Sequence, residues 1–116
     1  MAERLPAAPA GLRAAGRRLW KSTVADFELS EHELGLLREV CRTADSLDAL
    51  QTVLDQDGVI DVSPQGRRAH PALVELRQQR VTYARLIAQL GFPTGDEELT
   101  RRGSRGVYGI AGVVSS

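Results

Sequence analysis

The chain has 116 residues, a length that allows one domain with a modest hydrophobic core. Its single cysteine cannot form a disulfide within the chain, and no apolar run approaches the roughly 18 residues of a membrane-spanning helix. These features exclude disulfide-rich secreted domains and membrane-spanning proteins. We therefore expect a protein of the cytoplasm with no membrane partner.

The formal net charge is zero, but the charges are unevenly distributed along the chain. Residues 1–21 carry five basic residues against one acid, and residues 22–61 carry ten carboxylates against two arginines. Residues 62–90 are basic again, with five arginines against one glutamate. Such segregation favours association between unlike faces of neighbouring copies, or a basic surface that binds a polyanion, or both.

The first predicted element is a helix over residues 11–27, preceded by a flexible N-terminal tail at residues 1–10. At helical spacing, the apolar residues of this segment lie on one face. Trp20 broadens this face and is expected to pack against the next helix. The members of this face are Leu12, Ala15, Leu19, Thr23 and Phe27. The basic residues of the segment point away from it, and they are Arg13, Arg17, Arg18 and Lys21.

The second predicted element is a long helix between Ser30 and Gly58. Ser30 and Glu33 have the spacing of a capping box, and Gly58 supplies the stop. A helix of about 27 residues would be about 40 Å long. Its apolar seam comprises Leu37, Val40, Ala44, Leu47 and Leu54, widened by Leu36, Cys41, Leu50 and Val53.

After Gly58 the pattern favours a short two-stranded β-ribbon and then a third helix. The β-branched residues at 59–62, a turn at 63–66 and the basic residues 67–69 predict the ribbon, which is marginal on its own. His70 precedes Pro71, a favourable first helical residue, and a helix is predicted over residues 71–90, with Gly91 ending it. The stripe of this helix is Leu73, Leu76, Tyr83, Ile87 and Leu90. Residues 94–116 are expected to form a flexible C-terminal tail.

These elements predict an all-α fold, a three-helix protomer with a long central helical hairpin and a short β-ribbon between helices 2 and 3. Its helical domain would span residues 11–93. Both sides of the long helix are partly apolar, and three short layers cannot cover it. Oligomerisation is the expected solution.

The sequence offers no catalytic or metal-binding pattern, so we expect neither an enzyme nor a cofactor. His32 has no second histidine at zinc-protease spacing, and His70 before a proline is typical of capping or packing. Asp45 and Asp48 are expected on a solvated face of the long helix. The spaced glycines near the C-terminus precede no Gly-Lys-Ser/Thr sequence, which excludes a phosphate-binding loop of the nucleotide-hydrolase type.

Binding is the remaining class of function. The four basic residues of the first helix lie within nine positions, and Arg17 and Lys21 are one helical turn apart. Such side chains contact backbone phosphates and give affinity without sequence readout. The ribbon arginines Arg67 and Arg68 are further candidates. For both groups, an ordinary solvated basic face is the alternative.

Several strings of the sequence, in this order and spacing, resemble the small terminase subunit of tailed phages and prophages. The resemblance covers residues 11–109. The strings are Gly11-Leu12, Gly16-Arg17, Leu19-Trp20, Phe27-Glu28-Leu29, His32-Glu33-Leu34, Leu36-Leu37-Arg38-Glu39, Cys41-Arg42-Thr43-Ala44-Asp45, Leu47-Asp48, His70-Pro71-Ala72-Leu73 with Glu75 and Arg77, and Arg105-Gly106-Val107-Tyr108-Gly109.

The resemblance implies a ring-shaped homo-oligomer that binds double-stranded viral DNA and recruits or regulates the large terminase subunit, which carries the ATPase and nuclease. It implies that the basic residues of the first helix face DNA. Core and subunit contacts would come from Leu37, Val40, Ala44, Leu47, Leu73, Leu76 and Ile87. The tail residues Arg105, Val107 and Tyr108 would bind the large subunit. The protein would act in the cytoplasm of a bacterial host.

Two other functions fit the same residues. The chain would serve as a non-catalytic helical scaffold or adaptor if its basic residues only pair with a neighbour's carboxylates. It would serve as a small DNA-binding regulator if it stops at a dimer.

Overall fold

The computed structural model describes residues 4–91 together with the backbone of residues 100–101. It is mostly helical, with three helices that correspond to the three predicted segments. The helices are α1 (Ala14–Asp26), α2 (Glu31–Asp57) and α3 (Pro71–Leu90). No helix of the described residues is long and apolar enough to cross a membrane.

The strands form two small antiparallel pairs. Strands β2 (Ile60–Ser63) and β3 (Gly66–Ala69) make the predicted ribbon, with Asp61 opposite Arg68 and Val62 opposite Arg67. Strands β1 (Phe27–Glu28) and β4 (Thr100–Arg101) pair beside the α1–α2 connection. The second pair was not predicted, because two residues are too short to give a periodic pattern.

The two ends of α2 confirm the sequence prediction. The Ser30 hydroxyl accepts a hydrogen bond from the Glu33 N–H, and the Glu33 carboxylate accepts one from the Ser30 N–H. Gly58 follows the last turn with φ of 82°, and its N–H donates to the Leu54 carbonyl. The capping box and glycine stop therefore set the length of this helix at 27 residues.

The residue before α3, His70, is bonded both to the end of α2 and to the residue that precedes the ribbon. The Nδ1 atom of His70 accepts a hydrogen bond from the Ala72 N–H at 2.9 Å, so His70 caps the helix, one of the two roles expected for it. The opposite ring nitrogen lies 3.0 Å from a carboxylate oxygen of Asp57, the last residue of α2. The His70 N–H also donates to the Val59 carbonyl. One histidine thus ties both helices and the ribbon together.

The first helix begins three residues later than predicted, and Trp20 and Thr23 are buried as predicted, as are Leu12 and Phe27 just outside its ends. Its start follows Arg13, and its end precedes Phe27, which is extended. The buried face is centred on Gly16, Trp20 and Val24, whereas Ala15 and Leu19 remain half-buried. The prediction centred this face on the apolar spacing alone. The close approach of Gly16 to α2 sets the actual orientation.

Helix α1 covers only part of the hairpin. We call residues 11–45 together with residues 83–90 the covered half, and residues 46–82 the ribbon half. The covered half contains a core of eight buried residues, namely Leu12, Trp20, Val24, Phe27, Leu37, Val40, Cys41 and Leu90. The ribbon half has a cluster of three, namely Leu54, Ala72 and Leu76. The main core therefore lies at one end of an elongated molecule.

The N-terminal segment contacts the covered half. The indole Nε1–H of Trp20 donates a hydrogen bond to the Pro6 carbonyl at 3.1 Å, and Ala8 packs against the core. Residues 5–8 and α1 enclose a groove of about 550 Å³ beside Arg17 and Lys21. The described part of the expected N-terminal tail is thus placed against α1.

Candidate nucleic-acid interface

The four basic residues of the first helix form one exposed face on α1. Arg13, Arg17 and Lys21 follow one another at intervals of four residues, so they lie along one side of the helix, and Arg18 lies beside them. Among residues 4–91, no carboxylate lies within ion-pair distance of these four side chains. Their charges therefore remain available to an anionic partner.

The position of this basic face is fixed by Asp45 of α2. One carboxylate oxygen of Asp45 accepts a hydrogen bond from the Arg13 N–H at 2.7 Å. The other oxygen accepts one from the Gly16 N–H, also at 2.7 Å. Helix α1 has no capping side chain or acidic residue of its own in its first turn. Asp45 therefore caps α1 from another helix and compensates its positive end.

Gly16 allows the two helices to come together at this point. A Cβ atom on Gly16 would lie 2.5 Å from an Asp45 carboxylate oxygen and 2.6 Å from the Cys41 carbonyl oxygen. Both distances are too short for a real side chain, so any other residue would push α1 away from α2. Gly16 and Asp45 together set where the basic face stands on the core.

The expectation that Asp45 lies on a solvated helix face is wrong. Asp45 is half-buried and bonded to two backbone N–H groups, whereas Asp48 is exposed as expected. Sequence reasoning missed this role because the cap crosses 29 to 32 positions of sequence. The available signals were a glycine inside a helix and a helix start without its own cap.

The ribbon arginines do not join the basic face of α1. The segment from Asp45 to Gly58 corresponds to about 20 Å along the axis of α2, and it separates the two groups. Arg68 forms an ion pair with Asp61 at 3.2 Å, whereas Arg67 is exposed without an ion pair among the described residues. The predicted DNA-binding residues therefore form two separate surfaces.

Three of the predicted interface residues belong to the core of a single chain. Leu37 and Val40 are 0% exposed and Leu76 is 2% exposed, so they have no surface left for a second copy. This burial agrees with the core part of their expected role as core and subunit contacts, because packing between the helices of one protomer already buries them. The other predicted members keep partial exposure, namely Ala44, Leu47, Leu73 and Ile87.

The single cysteine is unsuited to nucleophilic chemistry. Burial, with a smaller contribution from the nearby Asp45 carboxylate, raises the pKa of the Cys41 thiol to about 12. A thiol that stays protonated at neutral pH is a poor nucleophile and metal ligand. Within the described residues, no three His, Cys, Asp or Glu side chains are grouped so that they could hold a metal ion.

The arrangement of the described residues is suited to binding an anion through an exposed, fixed set of cations. The predicted large-subunit contacts Arg105, Val107 and Tyr108 lie outside the described residues. Comparisons with known protein families, curated proteins and solved structures found no match for the chain.

Proposed function

We propose that this chain is a small terminase subunit, a non-catalytic protein that binds double-stranded viral DNA and assembles into a ring. It recruits or regulates a separate large subunit, which supplies the ATPase and nuclease activities of genome packaging. The observation that carries the proposal is the exposed basic face of α1, whose four cations have no carboxylate partner among residues 4–91.

The basic face supports DNA binding by its chemistry and by its rigidity. Cations at intervals of four residues on a helix rise by about 6 Å per step, so several of them reach one phosphate backbone. The caps from Asp45 and the close contact at Gly16 hold the helix in place before DNA arrives. Less ordering entropy is then lost on binding.

The charge balance of the chain limits the strength of this binding. The net charge is zero, so there is little long-range attraction between one protomer and DNA. Each phosphate contact instead releases counterions locally, which makes the affinity strongly dependent on salt. A ring would bring many copies of the basic face to one DNA molecule and raise the combined affinity.

The ribbon half supports self-assembly. Six of the seven large hydrophobic residues that are exposed in the described chain lie there, namely Val53, Val59, Ile60, Val62, Val74 and Val81. A small core under so much exposed apolar surface favours a neighbour that covers it. The alternative of a scaffold or adaptor shares this self-assembly but requires no DNA.

The decisive experiment measures binding of duplex DNA between 50 and 200 mM salt, conditions chosen because counterion release acts strongly there. The double variant Arg17→Gln/Arg18→Gln is expected to bind more weakly. Loss of two phosphate contacts should reduce the slope of log K against log salt by about 1.8. The matched control is Arg38→Gln/Arg42→Gln, because these two exposed arginines of α2 already pair with Glu39.

The outcomes separate the three functions. Unchanged DNA binding in the α1 variant would reject the basic face as the DNA contact, and no binding by the parent chain would favour the scaffold. Light scattering distinguishes a ring from the dimer of a DNA-binding regulator. The docking of the large subunit through Arg105, Val107 and Tyr108 stays a prediction, which a chain ending at residue 101 tests in a binding assay with that subunit.

A further inference from the structure

A groove opens on the hairpin where α1 begins. Helix α1 covers the seam between α2 and α3 only as far as its first turn, and beyond Ala15 the seam is open. The resulting groove has a volume of about 360 Å³. Its lining comes from all three helices and consists of Ala15, Ala44, Leu47, Asp48, Gln51, Leu76, Arg80 and Tyr83.

The α2 wall of the groove carries one carboxylate, and a second lies further along the same helix. Asp48 lines the groove, and Asp55 follows seven residues later on the same side of α2, about 10 Å further along the axis. Neither carboxylate has an ion pair within the described residues. The one cation of the lining is Arg80, on the α3 wall. The wall formed by α2 therefore favours a positively charged partner.

The outer side of α3 has the opposite character. Val74 is 46% exposed and Val81 is 50% exposed, although both are large apolar residues in the middle of a regular helix. Arg77 and Arg85 lie on the same side, at spacings of three and four residues from these valines. Neither arginine has an ion pair in the described part of the chain. We call these four residues the outer stripe of α3.

We propose that the outer stripe of α3 from one copy of the chain lies in the groove of the next copy. The inference deepens the self-assembly in the proposed function and rests on it. Both surfaces present apolar residues beside charges of opposite sign. The two arginines are about 12 Å apart along α3, close to the spacing of about 10 Å between Asp48 and Asp55. One helix can therefore present an arginine to each carboxylate while its valines face the apolar part of the α2 surface between and beside them.

Because the two surfaces of the contact differ, the contact between copies has a direction. The groove and the outer stripe lie on different parts of one protomer, so each copy contributes the groove to one neighbour and the stripe to another. A two-fold dimer that paired groove with stripe would need both surfaces on one side of the protomer, whereas Val74 and Val81 lie on the opposite side of α3 from the groove residues Leu76 and Tyr83. The head-to-tail contact instead generates a closed ring or an open filament. Ring formation therefore depends on this particular pairing of surfaces.

The first test replaces the apolar residues of the stripe. The variant Val74→Glu/Val81→Glu is expected to shift the native mass toward that of a single chain, 12.6 kDa, in light scattering. The matched control is Leu5→Glu, an exposed hydrophobic residue that lies outside the ribbon half and does not line the groove. Assembly of the stripe variant at the parent mass would overturn the proposal, and so would equal loss of assembly in the control.

The second test exchanges the charges of the two surfaces. Arg77→Glu/Arg85→Glu and Asp48→Lys/Asp55→Lys should each fail to assemble, because each presents like charges at the contact. An equimolar mixture should assemble again, since every groove then meets a stripe of opposite charge. Circular dichroism of each variant alone shows whether it is folded. Folded variants that stay separate after mixing would overturn the proposed pairing.

The third test distinguishes a second copy from the chain's own C-terminal residues as the occupant. A chain ending at residue 101 should assemble like the full chain, and loss of assembly would assign the groove to residues 102–116. DNA binding provides an independent readout. A monomeric stripe variant with residual, salt-sensitive DNA binding supports both proposals. A parent chain that assembles through the stripe but binds no DNA rejects only the DNA function.

Discussion

The covered half and the ribbon half use the same two helices but differ in what lies on top of them. In the covered half, α1 completes a three-helix core that includes the fully buried Leu37 and Val40. In the ribbon half, two helices and a short ribbon enclose only a small cluster, and several valines remain exposed. Burial by a third element, rather than the sequence pattern of α2 itself, separates the well-buried end from the open end.

The largest effect should come from removing a core side chain of the covered half. Leu37→Ala is expected to lower the free energy of unfolding by about 3 kcal/mol, because a fully buried leucine leaves a cavity. Leu50→Ala, at a half-buried position beside the small cluster, should lower it by about 1 kcal/mol. Urea denaturation at one fixed protein concentration measures both. Equal losses would show that the two halves are equally well packed.

The next effect comes from the contact between α1 and α2. Gly16→Ala is expected to destabilise the chain by about 2 kcal/mol, because the added Cβ collides with Asp45 and the Cys41 backbone. Gly35→Ala is the control, since a Cβ at this helical position meets no atom within 4 Å. It should stabilise the chain by about 0.5 kcal/mol through helix propensity. Thermal unfolding of both variants would reveal opposite shifts, and shifts of the same sign would contradict the close-contact argument.

Loss of the inter-helix cap should have a smaller effect. Asp45→Ala removes the acceptor for two backbone N–H groups at the start of α1 and is expected to cost about 1.5 kcal/mol. Asp48→Ala, one turn further along α2, removes an exposed carboxylate without such bonds and should change the free energy of unfolding by less than about 0.5 kcal/mol. Denaturant unfolding compares them. Similar values would mean that Asp45 does not act as a cap.

The predictable parts of the fold are those that depend on residues close together in the sequence. Ser30, Glu33, Gly58, His70 and Gly91 mark the helix ends through contacts within a few residues, and the structure confirms these predictions. The orientation of α1 depends on a contact between Gly16 and residues about 29 positions away, which no periodic pattern reveals. For the same reason, apolar spacing could not tell core residues such as Leu37 from residues at the open groove.

The alkaline pH dependence of stability should also originate in the covered half. Burial, then the Asp45 carboxylate, raises the Cys41 pKa from 9.0 to about 12 in the folded chain. Above pH 9 the unfolded chain loses this proton while the folded chain retains it. The contribution is therefore fully present below pH 9 and is lost as the pH rises toward 12, with a slope of at most about 1.4 kcal/mol per pH unit.

Cys41→Ala should flatten this slope. Urea midpoints between pH 8 and 10.5 measure it, a range chosen to cross the ordinary thiol pKa. Burial also raises the pKa of Tyr83, so Tyr83→Phe is the companion variant that separates the two groups. If the slope is the same with and without Cys41, the thiol is not protected by the covered half, and the contrast between the two ends loses one of its supports.

The smallest effect should come from the ribbon half. In the folded chain, His70 Nδ1 accepts from the Ala72 N–H, so the proton of the neutral ring lies on Nε2 and is donated to Asp57. His70→Ala removes the cap of α3 and is expected to cost about 1 kcal/mol. Asp57→Asn keeps an acceptor oxygen for the ring and should cost less.

For these two variants, the position of the residues whose hydrogen exchange accelerates is more informative than the loss of stability. Because the ribbon and the first turn of α3 meet at His70, hydrogen exchange should accelerate there in His70→Ala. Alkylation of the buried Cys41 should keep the parent rate, since that residue belongs to the core under α1. If Cys41 reacts faster as well, the two halves open together, and the hairpin is one cooperative unit rather than a well-buried end joined to a more open one.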